Sequence, residues 1–314
     1  MRVLVTGATG FIGGRLVPAL VKAGHDVAVL VRDAERYDAP EGVTVFEGDL
    51  LNPGTFEDAF EGVGAAYYLV HSMRSGEDFE ERDRLAARGF VRAAEAAGVG
   101  RIVYLGGLGE DRDELSEHLR SRREVESILR AGEPELTVLR AAIVVGAGSA
   151  GFELVTQIVS NLPVLVTPAW VRTPCQPVAI SDAVRYLAAI IDFPETAGET
   201  YEIGGPEVLS YQEMMSRTAA AMGRSVTIVP VPVLSPRLSA YWVDLVTDVD
   251  RSVAHPLIAG LKNAVVVNDD RIRDIVRFER TSFDEAVRRA LAEREESAKG
   301  TEGGPKGAEP GAGA

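Results

Sequence analysis

Two periodicities alternate through the first 145 residues. Short apolar runs rich in β-branched residues, RVLVTG (2–7), DVAVLVR (26–32), VTVFEGD (43–49), AAYYLV (65–70) and RIVYLG (101–106), read as strands, and LTVLRAAIVVG (136–146) as a sixth. Between them FIGGRLVPALVKAG (11–24) and residues 79–97 carry apolar positions at helical spacing, closed by Gly24 and Gly98. Strands that are apolar along their whole length, not at every second position, are buried on both faces. Such strands alternating with helices predict an α/β fold: a doubly wound parallel sheet covered by helices on both sides.

After residue 150 the pattern loosens. Helices are expected at 151–161, 181–192, 211–223, 235–262 and 283–294, with a proline-punctuated stretch LPVLVTPAWVRTPCQP at 162–177 and a short strand in ETYEIGG, 199–205. The expected organisation is therefore a sheet domain over 1–150, rejoined by 174–204. A smaller, mostly helical substrate or lid region spans 151–173 and 205–295. Residues 296–314, with no apolar side chain larger than alanine, are expected to be a disordered tail.

Composition narrows the partners. A net charge of −14 disfavours nucleic acid and anionic membrane, which reward clustered Lys and Arg. No apolar run approaches the length of a bilayer span, so no membrane helix is expected. The single cysteine, Cys175, excludes an internal disulfide, and no His, Cys, Asp or Glu cluster has metal-ligand spacing. With no secretory leader at the N-terminus, a reducing, cytoplasmic setting is expected.

Chemistry enters with TGATGFIGG, residues 6–14, which follows a strand and opens a helix. Glycines 7, 10 and 13 keep the spacing G-x-x-G-x-x-G, letting backbone approach a pyrophosphate that the helix N-terminus attracts. Thr6, Gly7, Thr9, Gly10, Phe11, Ile12 and Gly13 are the expected dinucleotide contacts, which makes the sheet domain Rossmann-like. Arg32, just past the second strand, suits a 2′-phosphate and favours NADP; Asp33 beside it leaves NAD open. Asp49 and Leu50, in GDL at the end of the third strand, are placed at the adenine edge, with turn capping the alternative for Asp49.

With these motifs and YYLVHSM (67–73), YLGGLG (104–109), LSEHLRSR (115–122) and QPVAISDAVRYL (176–187), the chain resembles the atypical and extended short-chain dehydrogenase/reductases. Within them it resembles the NmrA-like NAD(P)H-binding proteins related to the NADPH-holding accessory subunit of respiratory complex I. The resemblance implies a Tyr-x-x-x-Lys pair and a Ser or Thr after the fifth strand. The sequence contains no Tyr-x-x-x-Lys: His118 and Arg122 stand at the tyrosine and lysine positions, and Gly106-Gly107 at the hydroxyl. Arg122 is expected to take over the lysine's hold on the ribose. His118 is a substitute acid or a surface histidine, and His71, after the fourth strand, faces the nicotinamide with Ser72 or caps the strand. Phe152, Trp170, Tyr241 and Trp242 either line a site for an apolar ligand or form the core of the lid.

Two functions are open on these residues. One is an NADPH-dependent oxidoreductase for an apolar carbonyl or quinone-like substrate, with His118 or His71 as proton donor. The other is a non-catalytic NADPH-binding redox sensor or accessory subunit, docked on a protein partner in an electron-transfer complex. An epimerase or dehydratase is disfavoured, because that chemistry also relies on the missing tyrosine.

Overall fold

The computed structural model describes residues 1–71, 79–109, 117–167, 169–230, 261 and 263–302. Its N-terminal half lays down β1 (Arg2–Thr6), α1 (Gly13–Lys22), β2 (Asp26–Val31), β3 (Thr44–Glu47), β4 (Ala65–Tyr68), α2 (Phe79–Ala96), β5 (Arg101–Gly107), α3 (Glu117–Arg130) and β6 (Glu135–Ala141). Then come β7 (Val144–Val145), α4 (Ala150–Asn161), β8 (Val164–Thr167), β9 (Pro174–Cys175), β10 (Val178–Ala179), α5 (Ile180–Ile190) and β11 (Thr200–Ile203). The chain closes with β12 (Leu209–Ser210), α6 (Tyr211–Ala221), β13 (Thr227–Pro230), α7 (Ile272–Ile275) and α8 (Phe283–Glu302).

The seven-stranded sheet has the order β11-β6-β5-β4-β1-β2-β3, and every pairing in it is parallel. The connections run one way from β1 to β3 and the other way from β4 onward, so the strand order reverses between β1 and β4. A crevice opens at such a switch point, beyond the carboxyl ends of the strands.

Both sheet faces are cores, which explains the continuous apolar runs. Val3, Val5, Val29 and Tyr67 point to one side, with Leu16 and Leu20 of α1 and Leu187 and Ile190 of α5. Leu4, Leu30, Tyr68 and Tyr104 point to the other, under Phe90 of α2 and Leu129 of α3. There Phe90 meets Phe60 and Tyr68 edge-on, at centroid distances of 5.1 and 5.0 Å. A third core joins Phe152 and Ile158 of α4, Cys175, Met214 of α6 and Val287 of α8.

Two expectations need correction. The run LTVLRAAIVVG is not one strand. Its pairing with β5 ends at Gly107↔Ala141, after which the chain turns and Val144–Val145 pairs with β10 instead. The C-terminal region is mostly helical, with short two-stranded sheets beside its helices, β12 with β9 and β13 with β8. The last helix continues to Glu302, beyond the expected start of the tail at 296. Glu, Ala and Lys are good helix formers, and Ser297 donates from Oγ to the Glu293 carbonyl at 2.9 Å. A composition too polar for a core still allows an exposed helix. The helix expected over 235–262 lies, apart from residue 261, outside the described residues. Among the described residues no helix is long and apolar enough to cross a membrane.

Candidate cofactor site

A cleft of about 510 Å³ opens at the β1/β4 switch point. Thr6, Gly7, Thr9, Gly10, Phe11, Ile12 and Gly13 line it, as do Arg32 after β2 and Asp49 and Leu50 after β3. His71 after β4 and Arg122 of α3 also line it, so the two ends of the proposed site share one space. His118 is on α3 with its side chain outside the described residues, and Ser72 lies outside them altogether.

The loop is glycine-dependent for steric reasons. Gly7 has φ +74°, and a Cβ there would come within 2.6 Å of the Leu69 carbonyl oxygen. A Cβ on Gly13 would sit 2.2 Å from the Gly7 carbonyl oxygen, backbone against backbone. α1 then begins with no side-chain cap at Ile12 and no acidic residue in its first turn. Its end keeps a partial positive charge and N–H groups for an anion. Arg15 holds the loop in place, donating to the carbonyls of Phe11 and Ala147 at 2.9 Å and pairing with Glu293 of α8. A bare backbone cradle with an uncapped helix end behind it fits a dinucleotide pyrophosphate.

After β2, Arg32 is exposed, while Asp33 is spent on Arg36, as ion-pair partner at 3.2 Å and as acceptor of its N–H. Asp49 does two things: it lines the cleft and accepts the Leu51 N–H at 3.0 Å, shaping its own turn. Thr6 gives its hydroxyl to the Tyr67 carbonyl at 2.9 Å, joining β1 to β4.

The opposite end is built from side chains. His71 donates from Nδ1 to Oδ2 of Asp83 at 2.8 Å, and the Ser121 hydroxyl donates to the same oxygen at 3.3 Å. Asp83 is 2% exposed, on the inner face of α2. Burial lowers the His71 pKa, the Arg122 charge lowers it further, and Asp83 opposes both. Arg122 is half-buried and donates from Nη1 to the Leu105 carbonyl at 3.1 Å. Tyr104 donates to the Arg122 carbonyl at 3.2 Å; burial pushes its hydroxyl up to about 12. Tyr68, its register neighbour, is fully buried and its hydroxyl has no partner among the described residues. Burial, then the nearby Asp83 charge, hold it protonated.

Asp83, Tyr68 and Tyr104 were not legible as site residues. Asp83 stands within FEERDR, a charge run that reads as a solvated helix face, and the tyrosines read as core. The lid aromatics resolve in part: Phe152 is 2% exposed within the C-terminal core. The side chain of Trp170, and Tyr241 and Trp242 entirely, lie outside the described residues.

Residues 7–160 match a family described as NAD(P)H-binding. The chain is 30% identical over 67% of its length to the mitochondrial NADH dehydrogenase [ubiquinone] 1 alpha subcomplex subunit 9 of Arabidopsis thaliana, and spans 55% of that protein. It is 27% identical to the ceramide reductase of Caulobacter vibrioides, over 73% of each chain. Among solved structures, an NADPH-dependent quinone oxidoreductase of Escherichia coli complexed with NADPH superposes with a TM-score of 0.73. That likeness, at 20% identity over 91% of this chain and 98% of the other, shows the fold.

Proposed function

We propose that this chain, whose N-terminal half belongs to the NAD(P)H-binding family, is an NADPH-dependent reductase of an apolar carbonyl or quinone-like acceptor. The observation that carries this is the single cleft joining the glycine loop to the His71–Asp83 pair and Arg122. When bound, the cofactor supplies the hydride. The loop backbone and the start of α1 hold the pyrophosphate, and Arg32 holds the 2′-phosphate. Arg122, fixed through Leu105, replaces the usual lysine as the cation at the ribose. His71 handles the proton. With Nδ1–H given to Asp83, the neutral ring has its proton on Nδ1, and a second proton on Nε2 makes it the acid that a reduced carbonyl needs. Because burial and Arg122 disfavour that charge, reduction is fastest on the acid side of neutrality.

A second reading is favoured by the absent Tyr-x-x-x-Lys and by the plant relative named as a subunit of an NADH dehydrogenase. On it, the chain holds NADPH without turnover and docks on a partner protein. Calorimetry with NADPH and NADH, on the parent, Arg32→Ala and Arg122→Ala, comes first. NADPH binds the parent, Arg32→Ala weakens NADPH selectively and Arg122→Ala weakens both. Binding followed by NADPH oxidation with apolar carbonyls or quinones supports the reductase; binding with no turnover across such a panel supports the second reading. If neither nucleotide binds, both fall.

A further inference from the structure

α2 opens with the charge run FEERDR, residues 79–84, and each of its carboxylates has a taker. Glu80 pairs with Arg120 at 2.9 Å, Glu81 with Arg84 at 3.0 Å, and Asp83 with His71 at 2.8 Å. Arg84 also reaches Glu124 at 3.1 Å. Arg82, in the midst of these acids, enters none of these pairs; it is exposed and lines the cleft, with Ala86 one turn on.

The same logic holds on the other wall. Arg32 lines the cleft while its neighbour Asp33 is diverted to Arg36. The loop Gly48–Leu51 lines the same cleft and links the two walls. It is tied to β2 by the Gly48 N–H on the Val31 carbonyl at 2.9 Å. It is pressed on α2 so closely that a Cβ on Gly89 would stand 2.8 Å from the Leu50 carbonyl oxygen. Arg32 and Arg82 therefore line one cleft from two separate elements, the end of β2 and the start of α2, that this loop connects. In a chain with 47 acidic against 33 basic residues, carboxylates are in surplus, yet among the described residues neither guanidinium is ion-paired, although the Asp49 carboxylate lines the same cleft.

We propose that Arg82 is a second cation for the adenosine 2′-phosphate, opposite Arg32, so that preference for NADP over NAD is set jointly by the end of β2 and the start of α2. This rests on the cleft being a dinucleotide site, as read above. A guanidinium offers paired, charge-assisted N–H bonds to phosphate oxygens, and two of them on one phosphate exceed what either supplies alone.

The test measures NADPH and NADH affinity by calorimetry for the parent, Arg82→Gln, Arg82→Lys and Arg88→Gln. Arg88 is exposed on the same helix but outside the cleft, so its variant removes the same charge at a distance. Arg82→Gln is expected to weaken NADPH about tenfold, the scale of one charge-assisted contact, and NADH less than about twofold. Arg82→Lys keeps most of the NADPH affinity, and Arg88→Gln changes neither. Thermal unfolding stays at the parent value for Arg82→Gln, which separates lost contact from lost fold. An equal loss for both nucleotides, meaning a contact to the shared adenine or pyrophosphate, overturns the assignment, as does no loss. A parent that binds neither nucleotide overturns it together with the cofactor reading; a parent that binds both, with an unchanged ratio in Arg82→Gln, overturns it alone.

Discussion

The two ends of the cleft are made in different ways. The glycine-loop end is backbone: a loop whose shape excludes side chains at Gly7 and Gly13, followed by an uncapped helix. The other end is side chain, assembled from the end of β4 and the inner faces of α2 and α3. His71, Asp83, Ser121 and Arg122 meet there although none but the last two are adjacent in sequence. A backbone site tolerates almost no substitution and keeps its motif. A side-chain site can exchange its residues and keep a similar shape, which is why the usual tyrosine and lysine can be absent above an intact glycine loop.

The hardest way to break this contrast is Gly13→Ala. The added methyl carbon meets the Gly7 carbonyl oxygen at 2.2 Å and the Ala8 Cα at 2.8 Å, and neither can yield without moving β1 or α1. We expect about 3 kcal/mol of destabilisation in urea unfolding, at the upper end for overpacking, and loss of measurable NADPH binding. Retained binding would mean that the loop is not the cradle described.

The same contrast explains what could be foreseen. The fold was legible because β1, β2, β4 and β5 are apolar on both faces, and only a two-sided sheet demands that. The loop was legible because its steric demand is written as glycine. Arg122 was reachable only through the position where a lysine should stand, and His71 only through its place just beyond β4. Asp83 was hidden, because an aspartate between two arginines reads as surface. Its burial depends on α3 packing over α2, which no local pattern in FEERDR reports. The break after Ala141 was equally hidden, since AAIVV is as good a strand as any and only the end of β5 stops it.

A middle-sized effect tests the side-chain end directly. Asp83 is a positioning residue: it acts through His71, holding the ring and drawing its pKa up against burial and Arg122. Asp83→Asn keeps the shape and removes the charge. His71, one of four histidines and so readily assigned by NMR, then titrates at lower pH than in the parent. Any acid-side rise in reduction rate moves down with it. The stability sign is fixed by the direction of the shift. A histidine depressed on folding takes its proton more readily in the unfolded chain, so its contribution is present above the ordinary value of 6.5 and is lost as pH falls through it toward the lowered pKa. In Asp83→Asn that loss extends to lower pH. An unchanged His71 titration would show that the carboxylate is not coupled to the ring.

The smallest effect compares two tyrosines that stand side by side. Tyr68 and Tyr104 are register neighbours on β4 and β5, with ring centroids 6.2 Å apart and both hydroxyls buried under α2 and α3. They differ in one respect: Tyr104 gives its hydroxyl to the Arg122 carbonyl, while Tyr68 gives its own to none of the described residues. Replacing tyrosine by phenylalanine removes only that oxygen, so the two variants isolate a made hydrogen bond from an unmade one. Tyr104→Phe should lose about 1 kcal/mol, the net worth of one hydrogen bond, and loosen Arg122 as well. Tyr68→Phe should be neutral or gain up to about 1 kcal/mol, because burying a donor without an acceptor costs free energy that phenylalanine does not incur. Urea unfolding of the two variants against the parent reads the difference. If Tyr68→Phe is instead destabilised as much as Tyr104→Phe, its hydroxyl has an acceptor in solution, and the side-chain end of the cleft holds one more polar contact than its described side chains account for.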